Sequence, residues 1–265
     1  KGKKMNWYPN NKEEIEREIK EYLEKPKEKE IKNTSKIHGI VVPHAGYEFS
    51  GEIAGKAYSL LKEKNFTKAI ILGPSHYEAF KELKLMDKTK SPLSPLGKIE
   101  FIENSEINQY ETLEYEHSVD NQIPFLQYLN NEIKILPFVV GNLSQENLKK
   151  ISQKIVNYLD KDTILVISTD LSHFLKYEKA VEKDHKTIEA IKKLDSEKLI
   201  RIENSACGIF PLLILFEMCK EKNKKKKENE EKWNPKLIDY KNTGDIIPDL
   251  KYENQGVVGY ASFVF

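Results

Sequence analysis

Five side chains with ligand chemistry share one type of setting. His44, His76, His117, His173 and Cys207 each stand beside Gly, Pro, Ser or Asp at the end of an expected element. Neutral imidazole and thiolate are good ligands for Fe, Cu or Zn. Asp170 and Glu116 lie close in sequence to two of these histidines. They suit carboxylates that fix an imidazole tautomer, or a ligand in a two-His, one-carboxylate set. A single histidine after a strand is ordinarily a hydrogen-bonded structural residue, and a single cysteine a small buried hydrophobe. Here three histidines occupy matching positions, which sets them apart from isolated ones. Cys219, inside an apolar helix, is assigned to packing. His38 begins a strand, at the wrong end for such a site, and His185 sits in a charged helix and reads as solvated. Tyr47 either lines the pocket or packs. The chain has no Gly-rich phosphate loop, no Gly-x-Ser-x-Gly elbow and no Cys-x-x-Cys pair.

The elements that must position these residues are repeated in kind. Ile40-Val41-Val42 is a β-branched run that reads as a buried strand, stopped by Pro43 and followed by His44. Ala69–Leu72 runs into Gly73-Pro74-Ser75-His76, and Ile164–Ile167 runs into Ser168-Thr169-Asp170-Leu171-Ser172-His173. Ligands in open α/β sheets sit at the carboxyl ends of strands. If these strands are parallel neighbours, their three imidazoles converge on one edge of the sheet.

Around them, Asn10 or Asn11 caps a helix running to about Lys25, with Ile15, Ile19, Tyr22 and Leu23 on one face. A charged linker follows at Pro26–Lys36. Further helices are expected over Ile53–Lys64, Glu103–Tyr110, Lys176–Lys193, Ser196–Asn204 and Leu212–Lys220, and Ser144 or Asn142 caps another that runs to Leu159. From Glu114 a dense polar opening becomes an amphipathic helix up to about Leu129, with Pro124 near its start or kinking it. Further strands are expected at Phe80–Met86, Ile133–Val140, Leu237–Asn242 and Val257–Phe265. Ser91–Gly97 reads as a Pro-rich loop. The Lys/Glu/Asn run 221–232 reads as a flexible charged loop. The expected class is therefore α/β, a single domain with a central mixed β-sheet flanked by helices.

Composition narrows the function. The 265 residues carry 43 basic and 42 acidic groups for a net charge of +1, an evenly mixed surface that argues against nucleic acid as partner. Two cysteines are too few for a disulfide framework and fit a reducing cytoplasm. No run reaches the 18 or so apolar residues of a membrane span, and no signal peptide is evident.

Taken in order, Pro43-His44-Ala45-Gly46-Tyr47, Gly73-Pro74-Ser75-His76, Glu116-His117-Ser118, Ser168-Thr169-Asp170-Leu171-Ser172-His173 and Cys207-Gly208 resemble the motifs of the Memo family, whose microbial members include AmmeMemoRadiSam system protein B. The resemblance runs from Tyr8-Pro9 to Gly259-Tyr260-Ala261. It implies a fold like that of class III extradiol dioxygenases. It also implies a metal set of His44, His76 and Cys207, with His117, Asp170 and His173 around the same pocket. In a redox enzyme built on that set, His173 or His117 moves protons and Asp170 orients an imidazole. A Cys where related dioxygenases place a carboxylate argues against ring cleavage, because thiolate changes the electronics of iron and is itself oxidisable. Animal relatives carry a further His before the proline that here follows Phe210, so that contact is missing.

Two functions of different class follow. One is a mononuclear Fe or Cu redox or oxygenase-like protein, with Zn hydrolysis as a variant. The other is a non-enzymatic module that uses the same pocket for a peptide or partner. An AMMECR-type protein and a radical SAM enzyme are the partners the resemblance suggests.

Overall fold

The computed structural model describes residues 6–25, 36–89 and 94–265. The expected linker at 26–35, the first five residues and Ser91–Leu93 of the Pro-rich loop lie outside the described residues.

The strands are β1 (Gly39–Val42), β2 (Lys68–Pro74), β3 (Leu83–Met86), β4 (Glu100–Phe101), β5 (Thr112–Leu113), β6 (Lys134–Val140), β7 (Thr163–Ser168), β8 (His173–Leu175), β9 (Lys236–Asn242) and β10 (Val257–Val264). The α-helices are α1 (Lys12–Glu24), α2 (Tyr47–Tyr58), α3 (His117–Asp120), α4 (Ile123–Leu129), α5 (Gln145–Tyr158), α6 (Tyr177–Lys192), α7 (Ser196–Arg201), α8 (Ile209–Lys224) and α9 (Thr243–Ile246). All the strands join one mixed sheet in the order β5-β3-β6-β2-β7-β1-β10-β8, with β4 on β6 and β9 on β10.

The centre of the sheet is parallel. β1 pairs with β7, β7 with β2, and β2 with β6, all in the same direction. Their residues are almost continuously apolar because both faces are covered by helices. Alternation still sorts them. Val41, Ile70, Leu72, Leu165 and Ile167 face the layer that holds α5, α7 and α8. Ile40, Val42, Ala69, Ile71, Ile164 and Val166 face α1, α2 and α4. Register then aligns the strand ends. Val42 lies opposite Ser168, and Ile167 opposite Leu72. The loops after β1, β7 and β2 therefore leave the sheet along one edge.

On the second face, Asn11 caps α1 by accepting from the Glu14 amide, and Ile15, Ile19 and Leu23 form its buried stripe. Burying each such side chain contributes roughly 1.5–3 kcal/mol. The helix packs closely on α2 because Gly51 and Gly55 leave room for Tyr22. A β-carbon at Gly51 would stand 2.5 Å from the Tyr22 ring, and one at Gly55 2.5 Å from its Cβ.

Several boundaries differ from the sequence reading, each for a physical reason. α2 starts at Tyr47 rather than Ile53, directly after the His44 turn, and its first amide bonds to the Trp7 carbonyl. The polar opening after Glu114 holds a short helix of its own, α3, and the amphipathic helix α4 starts beside Pro124, as expected. Glu116 caps α3 with its side chain, and Pro124 occupies the first turn of α4, where no amide donor is needed. β2 continues through Gly73-Pro74, because β7 no longer pairs with it beyond Leu72 and the missing amide of Pro74 interrupts no ladder there. Glu103–Tyr110 holds only a 3-10 turn, Ile107–Gln109. The charged run at 221–232 begins as the last turn of α8. Asn223 then ties it back to Trp233 and Asn234.

Candidate metal centre

His44 follows β1 by two residues, Asp170 follows β7 by two, and His76 follows β2 by two. The aligned strand ends therefore bring these side chains together. Two further residues close the group: His117, the first residue of α3, and Cys207, two residues before α8. The rings of His44 and His76 have centroids 5.2 Å apart, those of His76 and His117 4.4 Å, and those of His44 and His117 5.4 Å.

Two sets of donor atoms lie within 4.8 Å of one another among the described residues: His44, His76 and His117, and His44, Asp170 and Cys207. His44 belongs to both. His76 and Cys207 fall in different sets, and His173 falls in neither.

The orientation of His44 is fixed by what lies behind it. Ser168 Oγ donates its one proton to the Ser118 carbonyl at 2.6 Å and accepts from Gln122 Nε2 at 3.0 Å. The Gln122 amide is itself oriented, donating to the Pro43 carbonyl at 3.0 Å and accepting from Tyr58 Oη at 2.7 Å. With the hydroxyl proton spent, the 2.9 Å contact between Ser168 Oγ and His44 Nδ1 requires the imidazole to donate. His44 Nε2 then carries the lone pair. It faces Cys207 Sγ at 3.4 Å and Asp170 Oδ2 at 3.8 Å. Burial holds the His44 imidazole well below its usual pKa, helped by His76 and His173, so its contact with Asp170 is not a charge pair.

His76 is set in the same manner by a carboxylate. Glu116 accepts from His76 Nδ1 at 2.8 Å and from the His76 amide at 2.6 Å, which leaves Nε2 for a ligand. Burial works to raise the Glu116 pKa, but these bonds and one from the Ser118 amide outweigh it and hold Glu116 ionised. His117 places Nδ1 2.7 Å from Tyr77 Oη and 3.2 Å from Glu116 Oε1. Its ring stacks on Trp7 at 4.1 Å, with the two planes 5° apart. Burial, with His44 and His76, brings its pKa down to about 3.

Asp170 accepts from the His44 amide at 2.8 Å, and its own amide points at Cys207 Sγ at 3.3 Å. Burial raises the pKa of both Asp170 and Cys207, the latter further through the neighbouring Asp170. Among the described residues, the ion-pair contacts of Asp170 are with the imidazoles of His44 and His173 alone. A buried carboxylate and thiol beside unprotonated ring nitrogens, with no Lys or Arg paired to them, suit a divalent cation. Its charge would favour the anionic form of both groups. The donor chemistry therefore fits a metal. His173 stands at the rim, half-buried, with Nε2 4.0 Å from Asp170 Oδ2.

Of the six site residues named from the sequence, His44, His76, His117, Asp170 and Cys207 supply donors to these two sets, whereas the imidazole of His173, expected to converge with those of His44 and His76, stands at the rim. His185 is exposed and bonds within its own helix, and His38 stacks on Trp233 at the far end of β1. Tyr47 is buried, donates to the Asn121 carbonyl at 2.7 Å and packs against Phe125, so it braces the site from below. Sequence reasoning did not find Ser168, Gln122, Tyr77 or Trp7. Ser168 had a usable signal, since it is the polar last residue of an apolar strand in register with Val42. Trp7-Tyr8-Pro9 reads as an apolar segment that docks on the body, though not where, and Gln122 and Tyr77 carried no signal, because their roles depend on contacts between distant parts of the chain.

The model of the family described as Memo-like protein matches residues 5–264. The chain belongs to the Memo-like family. It is 34% identical to a MEMO1 family protein of Sulfurisphaera tokodaii, over 85% of this chain and 82% of the relative. It is 30% identical to one of Methanobrevibacter smithii and 31% to one of Aquifex aeolicus, each over 98% of this chain and 96% of the relative. Among the described residues of this Memo-like protein, no helix is long and apolar enough to cross a membrane.

Proposed function

We propose that this protein holds one Fe or Cu ion on His44, His76 and Cys207 and carries out redox or oxygenase-like chemistry there. The observation that carries this reading is the lone pair of His44 Nε2, fixed by the Ser168–Gln122 network and set 3.4 Å from Cys207 Sγ. Thiolate with imidazole suits Fe, Cu or Zn, and of these Zn is the redox-inert alternative. The bound metal would supply an electron-transfer or oxygen-activating centre.

The chain's own residues would do the rest. Asp170 orients the turn after β7 through the His44 amide, and His173 at the rim, 4.0 Å from Asp170 Oδ2, would exchange a proton with it only through a bridging water. His117 is placed to pass a proton outward through its 2.7 Å bond to Tyr77, which is 56% exposed. Glu116 stays ionised and holds His76 with Nε2 inward.

Elemental analysis of reduced, anaerobically prepared protein tests the reading. One equivalent of Fe or Cu is expected in the wild type, and loss of it in His44→Ala and His76→Ala. Metal content unchanged by both substitutions would remove the proposal. Zn retained under these conditions, with no redox signal, would move it to hydrolysis.

A second reading has one observation in its favour. Tyr77 and Phe174, beside His76 and His173, are 56% and 71% exposed. Aromatic side chains at a pocket mouth suit a peptide or protein partner, such as the AMMECR-type or radical SAM proteins suggested by the family. Capture of either partner by metal-free protein, lost in His44→Ala, would favour this reading over the first.

A further inference from the structure

We infer that Asp184, on the helix behind the sheet edge, is a positioning residue that fixes the turn carrying Asp170 and His173. The metal consequence of this inference rests on the reading above.

α6 buries Ala180, Asp184, Thr187, Ile188 and Ile191 along one stripe. Apolar residues are the ordinary occupants of such a stripe, yet Asp184 is 0% exposed and carries a carboxylate. Both oxygens are used. Oδ1 accepts from the Ser172 amide at 3.0 Å, and Oδ2 from Tyr240 Oη at 2.6 Å. The opposite strand makes room for the carboxylate, since a β-carbon at Gly259 of β10 would overlap Asp184 Oδ2. Gly259 also pins the same turn with its backbone. Its carbonyl accepts from the Leu171 amide at 2.8 Å, and its amide donates to the Ser172 carbonyl at 2.9 Å.

The turn is therefore held at Leu171 and Ser172 from two sides, and the site groups flank the held pair. Asp170 precedes it and His173 follows it. Asp170 also points its amide at Cys207 Sγ, so a shift of this turn reaches the thiol as well. The acid at this position serves two donors, the Ser172 amide of the turn and the Tyr240 hydroxyl of β9, and only the first belongs to the segment that carries Asp170 and His173.

Anaerobic Co(II) titration followed by visible absorption, with Asp184→Leu, Asp184→Asn, Gly259→Ala and Tyr240→Phe, tests the inference. Altered outer contacts of a metal site typically cost about 10–100-fold in affinity. Asp184 acts through Asp170 and not on a ligand directly, so D184L is expected to bind Co(II) weaker by the lower end of that range, about tenfold, with a changed ligand-field spectrum. D184N keeps an acceptor for Ser172 and is expected to stay near wild type, as is Y240F. G259A pushes on the carboxylate without removing it and should behave like D184L, so it decides the matter if D184L does not fold.

Hydrogen exchange of the Asp170 and Leu171 amides in metal-free protein is expected to speed up in D184L and G259A but not in D184N. A folded D184L with wild-type affinity, spectrum and exchange would overturn the inference, as would D184N as weak as D184L. A wild-type protein that takes up no Co(II) would break the metal reading alone, leaving the exchange result to decide the role of Asp184.

Discussion

The two ends of β1 each carry a histidine that burial keeps unprotonated, and the two could hardly differ more in use. His38, just before the strand, stacks on Trp233 at 3.9 Å, and burial together with Lys36, Lys226 and Lys222 lowers its pKa to about 4. His44, just after the strand, has a fixed tautomer, its free nitrogen faces a thiol and a carboxylate, and two more imidazoles pack around its ring. Desolvation alone therefore does not mark a site. What distinguishes His44 is that one nitrogen is committed to Ser168 while the other faces donors arriving from other strands. The carboxyl ends of parallel neighbours create that convergence, and the amino end, lined by lysines, does not.

The largest expected effect separates the two ends outright. His44→Ala should abolish stoichiometric metal uptake, while His38→Ala should leave it unchanged, as measured by elemental analysis. Equal losses in both variants would erase the contrast.

A smaller effect probes the tautomer. Ser168→Ala removes the group that accepts from His44 Nδ1, and affinity for the metal should fall by about 10–100-fold. Glu116→Gln should do the same to His76 at the lower end of that range, about tenfold. Competition titrations with a chelator would measure both, and wild-type affinity in S168A would show that the network is dispensable.

A third prediction concerns acid stability. The His38 pKa is lower in the folded protein than the ordinary value of 6.5, so the unfolded state binds the extra proton first. Its contribution is fully present above about pH 6.5 and is lost as pH falls towards about 4. His38→Phe keeps the stack without the titration. Its melting temperature should fall less than that of the wild type across this window, and parallel curves would refute the assignment.

The smallest effect belongs to the stack itself. Trp233→Leu should cost about 0.5–1.5 kcal/mol beyond lost area, with metal affinity unchanged.

Much of the layout was legible because β-branched runs with their turns are local signals. The strands β1, β2 and β7, with His44 and His76 beyond two of them, followed from apolar pattern and Gly/Pro punctuation, but β2 runs two residues further than that pattern gives, and after β7 it is Asp170 rather than His173 that joins the donor set. The small edge strands β4, β5 and β8 were not legible, since two or three residues become strands only through their neighbours. The tautomer network was likewise hidden. Ser168, Gln122 and Tyr58 are far apart in the chain, and no residue type announces that its hydroxyl proton is already spent. Asp184 is an intermediate case. An acid on an apolar helical stripe is visible in the pattern, but its partner at Ser172 is not.

The most direct test is anomalous diffraction from crystals soaked with Fe(II) under reducing conditions. The account predicts a single anomalous peak about 2.0–2.3 Å from both His44 Nε2 and Cys207 Sγ, with His44 Nδ1 still bonded to Ser168. A fully loaded crystal with its peak away from His44 Nε2, or with the His44 ring turned off Ser168, would contradict it.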